Sequence, residues 1–117
     1  MITSCRNSGF HILFSNGWTA SVQWGPGNYC DNSFVSDRLM MPFAKGEYQR
    51  EWASKTAECW AWVKEDDKSP SDCVNFPDGG PLSYQKPEEV VHFLDFVSKF
   101  PDHKLPEGDI LETFQSH

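Results

Sequence analysis

The chain has no C-x-x-C pair, no long apolar run and no surplus of positive charge, and each absence removes a class of protein. Its four cysteines, Cys5, Cys30, Cys59 and Cys73, stand far apart, and no histidine lies close enough in sequence to complete a zinc knuckle. No stretch approaches the roughly 20 apolar residues of a membrane span. The opening MITSCRNSGF has no basic stretch leading into an apolar run. No signal peptide is therefore expected, and the expected setting is the cytoplasm with free thiols. There is no phosphate-binding glycine loop and no nucleophile elbow. His11, His92, His103 and His117 share no motif with a cysteine or serine. The residues point away from an enzyme and call for no cofactor or metal. Asp66, Asp67 and Asp72 lack the order of a calcium loop and read as a solvated turn.

The charge is one-sided. The net charge is −7, with six acids balancing six bases over residues 1–65 and eleven acids against four bases over residues 66–117. An acidic second half repels a phosphate backbone, so direct nucleic-acid binding is not expected. At 117 residues the sequence predicts a single domain, with a long irregular excursion at 33–54 and an acidic tail at 101–117.

What is present is aromatic: five Trp and nine Phe raise the aromatic share to 15%. Phe10, Ile12 and Phe14 alternate with His11 and Leu13; Trp18, Ala20, Val22 and Trp24 alternate with Thr19, Ser21 and Gln23. Period two on both sides predicts a hairpin. A two-residue turn at Asn16-Gly17 would put the apolar sets on opposite faces. A three-residue loop, Ser15-Asn16-Gly17, pairs Phe14 with Trp18, Ile12 with Ala20 and Phe10 with Val22. Gly17 then takes the left-handed position.

Thr56–Lys64 alternates again, with Ala57, Cys59, Ala61 and Val63 on one side and Glu58, Trp60 and Trp62 on the other. The tryptophan face is either covered or an exposed interface patch. A turn at Glu65–Pro70, a short returning strand Cys73–Phe76 and a strand or lead-in at Leu82–Tyr84 follow. A helix starts at Pro87, with Glu88 and Glu89 opposing its positive end and Val90, Phe93, Leu94, Val97 and Phe100 as the buried stripe. By that spacing His92 is exposed. Pro101 ends the helix, and Ile110, Leu111 and Phe114 suggest a short docking helix. The predicted class is α+β: an antiparallel sheet of four to five strands with one main C-terminal helix packed on one face. Residues 33–54 have no clean period. They carry the apolar patch Leu39–Phe43 and a candidate short helix at Glu47–Trp52, and are locally basic.

The loop Gly25-Pro26-Gly27-Asn28-Tyr29-Cys30-Asp31-Asn32 has two readings. In one it is a structural corner, with Gly25 and Gly27 supplying unusual backbone angles and Asn28 and Asn32 bonding backbone groups. In the other it is a ligand cradle, in which Tyr29 or Trp24 stacks on a ring, Asn28 and Asn32 read polar edges, and Arg38 or Arg50 meets a phosphate.

The motifs Asn16-Gly17-Trp18, Val22-Gln23-Trp24 and Gly25-Pro26-Gly27-Asn28-Tyr29-Cys30, with Thr56-Ala57-Glu58 and Pro87-Glu88-Glu89-Val90, cover roughly half of the chain. In these the sequence resembles a family of small bacteriophage-encoded proteins. The resemblance implies a phage origin and brings no established activity. By analogy with other small acidic phage proteins, the expected function is a non-enzymatic binding protein that counters host defence in the host cytoplasm. Sequestration of a nucleotide-like signal is the first mechanism. The second is inhibition of a host defence protein through the Leu39–Phe43 patch or the acidic surface, nucleic-acid mimicry included. A homo-oligomer is compatible with either. A small nucleotide-processing enzyme would require His11 to face the Tyr29 loop.

Overall fold

Two layers form because the sheet strands carry small residues where the helix carries phenylalanines. The computed structural model describes residues 1–5, 7–32, 53–63, 73–76 and 80–117. Five strands, β1 (Ile2–Ser4), β2 (Gly9–Leu13), β3 (Thr19–Gln23), β4 (Ala57–Trp62) and β5 (Leu82–Gln85), form one antiparallel sheet in sequence order. Helix α1 (Pro87–Ser98) lies over β3, β4 and β5, and α2 (Ile110–Gln115) follows it. Ala20, Ala57, Cys59 and Ala61 face the helix and leave room for Phe93, Phe96 and Phe100, all in one buried cluster with Trp18 and Val22. The α+β architecture is as the sequence predicts.

The hairpin register is also as read: Phe10 pairs with Val22 and Ile12 with Ala20. The Phe14 amide donates to the Trp18 carbonyl at 2.9 Å, closing a three-residue loop. Gly17 sits at φ +86°. This turn does more than reverse the chain. Asn16 is buried, and its side-chain amide donates to the carbonyls of Val97 (2.9 Å) and Phe100 (3.2 Å) at the end of α1. Its Oδ1 accepts the Trp18 amide at 3.0 Å. The Trp18 indole donates to the Lys104 carbonyl at 3.2 Å, and the His103 amide donates to the Asn16 carbonyl at 2.9 Å. The last carbonyls of a helix lack internal donors. Here the Phe100 amide reaches the Val97 carbonyl at 3.1 Å and the hairpin turn adds a second donor, so Asn16-Gly17-Trp18 ties sheet, helix and tail together.

At its other end α1 starts as Pro87 implies. Glu89 reaches back to accept the Lys86 amide at 3.0 Å, and Glu88 and Glu89 occupy the first turn. The buried stripe contains Phe93, Val97 and Phe100, with Val90 and Leu94 partly buried. Phe96 joins it, which the spacing alone did not indicate. The reason is α2: Phe114 packs on Phe96, Phe93 and Phe76 at ring-centroid distances of 5.1, 6.2 and 5.6 Å. The same docking corrects the expectation that His92 is exposed. Its ring lies 4.7 Å from that of Phe114, with Nε2 3.0 Å from the Phe114 carbonyl oxygen. Asp109 caps α2 by accepting the Glu112 amide at 3.0 Å.

One further expectation needs correction, and one strand is additional. β1, three residues long and exposed throughout, carries no sequence signal of a strand. Cys73–Phe76 is not a regular strand but a run anchored by two antiparallel bridges, Trp62 to Cys73 and Phe76 to Gly80. On the sheet face away from α1, Trp62 is buried and Trp60 half-buried. His11 meets Trp62 edge-on at 5.1 Å, and the Trp60 indole donates to the Val74 carbonyl at 2.7 Å. The covered reading of that face holds for Trp62. The candidate helix Glu47–Trp52, the patch Leu39–Phe43, the turn Glu65–Pro70 and the aspartates Asp66, Asp67 and Asp72 lie outside the described residues. No helix among the described residues is long and apolar enough to cross a membrane.

Candidate functional site

α1 begins at one end of the sheet, and beside its first turn a cavity of about 410 Å³ opens between the two layers. β2 contributes Phe10, β3 Val22, and the residue after β3 is Trp24. The lead-in to β4 supplies Ala53, Ser54, Lys55 and Thr56, β5 supplies Gln85, and α1 closes the side with Pro87 and Val90. Phe10 and Trp24 stand edge to face, 6.1 Å apart at an interplanar angle of 65°. A flat ring entering here would stack on one and meet the edge of the other, an arrangement aromatic quadrupoles favour. Lys55, an exposed residue, is the cationic side chain among the described residues that line the cavity. The Ser54 hydroxyl donates to the Thr56 carbonyl at 2.6 Å, so the polar lead-in is braced.

The loop Gly25–Asn32 forms the back of this wall. The Asn28 Oδ1 accepts the Gly25 amide at 3.1 Å, while the Asn28 amide donates to the Gly25 carbonyl at 3.2 Å. Asn32 donates its side-chain amide to the Trp24 carbonyl (2.7 Å) and the Ala53 carbonyl (3.0 Å). It thus joins the exit of β3 to the approach to β4. Thr56 repeats the link, its Oγ1 accepting the Asp31 amide at 3.0 Å and donating to the Asp31 carboxylate at 2.8 Å. Gly27 has φ +83°, as the loop reading requires. Gly25 does not have positive φ; it is needed for space, since a Cβ there would stand 2.7 Å from the Ser8 Cβ. Cys30 is fully buried in the loop, and that burial raises its thiol pKa. Cys59, deeper in the sheet, is pushed up to about 12, again mainly by burial.

The six residues singled out from sequence therefore separate. Trp24 lines the cavity. Asn32 stands behind it and holds its wall. Asn28 closes the loop on itself. Tyr29 is 56% exposed and does not line the cavity. Arg38 and Arg50 lie outside the described residues. Phe10, Val22, Lys55, Gln85, Pro87 and Val90 were not read as site residues. Phe10, Val22 and Val90 look like core in any periodic pattern, and they belong to or pack against the core here while also lining the cavity. His11 packs on Trp62 and sits opposite Ser21 and Thr3 in register. No group of three His, Cys, Asp or Glu among the described residues is placed to hold a metal ion. Comparison with protein-family models, with curated proteins and with solved structures finds no match.

Proposed function

We propose that this protein is a non-enzymatic binding protein that takes up a planar, nucleotide-like anion in the cavity lined by Phe10 and Trp24. The observation that carries the reading is the cavity itself: aromatic walls set edge to face, with the cationic Lys55 among the lining residues. Small-molecule sites are mostly apolar clefts of about 300–1,000 Å³ with a few polar groups that orient the ligand. A cavity of about 410 Å³ is at the small end, which favours one base with its sugar and phosphate over a dinucleotide. In the phage setting that the sequence resemblance implies, such uptake would withdraw a host defence signal from the cytoplasm.

Isothermal calorimetry against adenosine and guanosine monophosphates, cyclic mononucleotides, cyclic dinucleotides and ADP-ribose tests this. A mononucleotide should bind saturably. Trp24→Ala should lower its affinity about tenfold or more through lost stacking, with a cooperative melt retained. Lys55→Ala should weaken binding more at low salt than at high salt. Absence of binding across the panel, or binding indifferent to Trp24→Ala, would overturn the reading.

A further inference from the structure

The sheet is open, and β1 is one of its two edges. The Leu13 amide donates to the Met1 carbonyl at 2.9 Å, and the Cys5 amide donates to the Gly9 carbonyl at 2.9 Å. Between those pairs the register sets Ile2 against Ile12, Thr3 against His11 and Ser4 against Phe10. Hydrogen-bonded and non-hydrogen-bonded pairs alternate along an antiparallel ladder. Thr3 therefore turns its amide and carbonyl toward β2, while Ile2 and Ser4 turn theirs outward. Sheets guard such edges with proline, lysine, a bulge or a covering element. β1 has none of these: it is Ile-Thr-Ser, in unbroken register with β2 and exposed throughout. Apolar side chains gather here as well. Of the six large hydrophobic residues exposed among the described ones, Met1, Ile2 and Leu13 stand on or opposite this edge, with Ile2 74% exposed.

We propose that β1 pairs with β1 of a second copy of this chain, antiparallel about a two-fold axis at Thr3, so that two five-stranded sheets continue as one. The register is self-complementary. With Thr3 opposite the partner's Thr3, Ile2 faces the partner's Ser4 and Ser4 faces the partner's Ile2. The outward amides and carbonyls of both residues then find partners. The two threonines meet as a directly opposed cross-strand pair, a favourable combination. Charge also selects this edge. A net charge of −7 makes two copies repel, yet from Met1 to Cys30 the sole Asp, Glu, Lys or Arg is Arg6. The acids concentrate in residues 66–117, and α1, which carries Glu88, Glu89 and Asp95, lies over β3, β4 and β5, toward the other edge. A junction at β1 brings the neutral strands together and keeps the acidic helices apart. No residue of β1 lines the cavity beside α1, so this junction and the nucleotide reading stand or fall separately.

Sedimentation equilibrium of the full chain, from micromolar to millimolar concentration, should show a monomer passing to a dimer. Thr3→Lys sets like charges opposite each other on the axis and should raise the dissociation constant at least about tenfold. Ser4→Pro should do the same by removing an outward amide, while the Thr3 ladder to β2 and the parent's circular dichroism are retained. In a Cys5→Ser background, Thr3→Cys should give a disulfide-linked dimer on oxidation. A directly opposed, non-hydrogen-bonded pair has its Cα atoms about 4.5 Å apart, within disulfide reach. Ser4→Cys should not cross-link, because its counterpart is displaced by two residues along the strand. A monomer at every concentration would overturn the proposal and leave the edge to a strand from another protein. So would a dimer that Thr3→Lys and Ser4→Pro both leave intact, or one that cross-links through Ser4→Cys in preference to Thr3→Cys.

Discussion

The Ser15–Gly17 turn and the Gly25–Asn32 loop look alike in sequence: each is short, contains a glycine at positive φ and relies on an asparagine side chain. In the structure they work at different ranges. Asn16 reaches residues 81 and 84 positions away and closes the end of α1. Asn28 reaches three positions back and closes only its own loop. An asparagine in a glycine turn is thus a long-range staple in one place and a local clasp in the other. What decides is whether another layer packs over the turn. The comparison also bears on function, because a loop with unusual chemical detail invites a ligand-binding reading. The Asn28 Oδ1 and the Asn32 side-chain NH2 are engaged with backbone groups, and neither residue lines the cavity.

The sharpest way to break this comparison is to remove the two amides. Asn16→Ala removes a buried donor from the Val97 and Phe100 carbonyls and the acceptor of the Trp18 amide, and should cost about 3 kcal/mol. Urea denaturation followed by circular dichroism would measure it, and a loss below that of Asn28→Ala would contradict the staple. Gly17→Val comes next, at about 2 kcal/mol, because a β-branched residue resists positive φ. The added Cβ would also press on His103, whose Nε2 lies 2.4 Å from its ideal position. A melting temperature equal to the parent's would mean that the turn has another geometry. Asn28→Ala should cost about 1 kcal/mol, the worth of one partly exposed hydrogen bond. If calorimetry instead finds the fold unchanged and nucleotide binding lost, the loop reads the ligand directly.

The smallest effect is a rate. Cys30 is enclosed by the loop and its pKa is raised by burial, so at neutral pH it holds little reactive thiolate. Cys5 is the cysteine that is not buried. Timed iodoacetamide labelling read by mass spectrometry should modify Cys5 first and Cys30, Cys59 and Cys73 slowly. Early labelling of Cys30 would show that the loop opens in solution.

The sequence by itself determined the hairpin register, the three-residue turn, β4, the start of α1 and the existence of α2. Each of these rests on a local rule: alternation of apolar residues, a glycine where φ is positive, a proline and two glutamates at a helix start. Only the tertiary structure decided what lies across those elements. β1 was hidden because three exposed residues carry no period. Phe96 and His92 are covered by α2, a contact between segments some twenty residues apart that no periodicity records. Asn32 became a brace through the carbonyls of Trp24 and Ala53, the second of them 21 positions away. The cavity is walled by Phe10, Val22 and Val90, which also belong to or pack against the core, so no periodic pattern marks them as a site. Local chain chemistry specifies the pieces; burial and hydrogen-bond partners between distant pieces depend on how they dock, and the candidate site is made there.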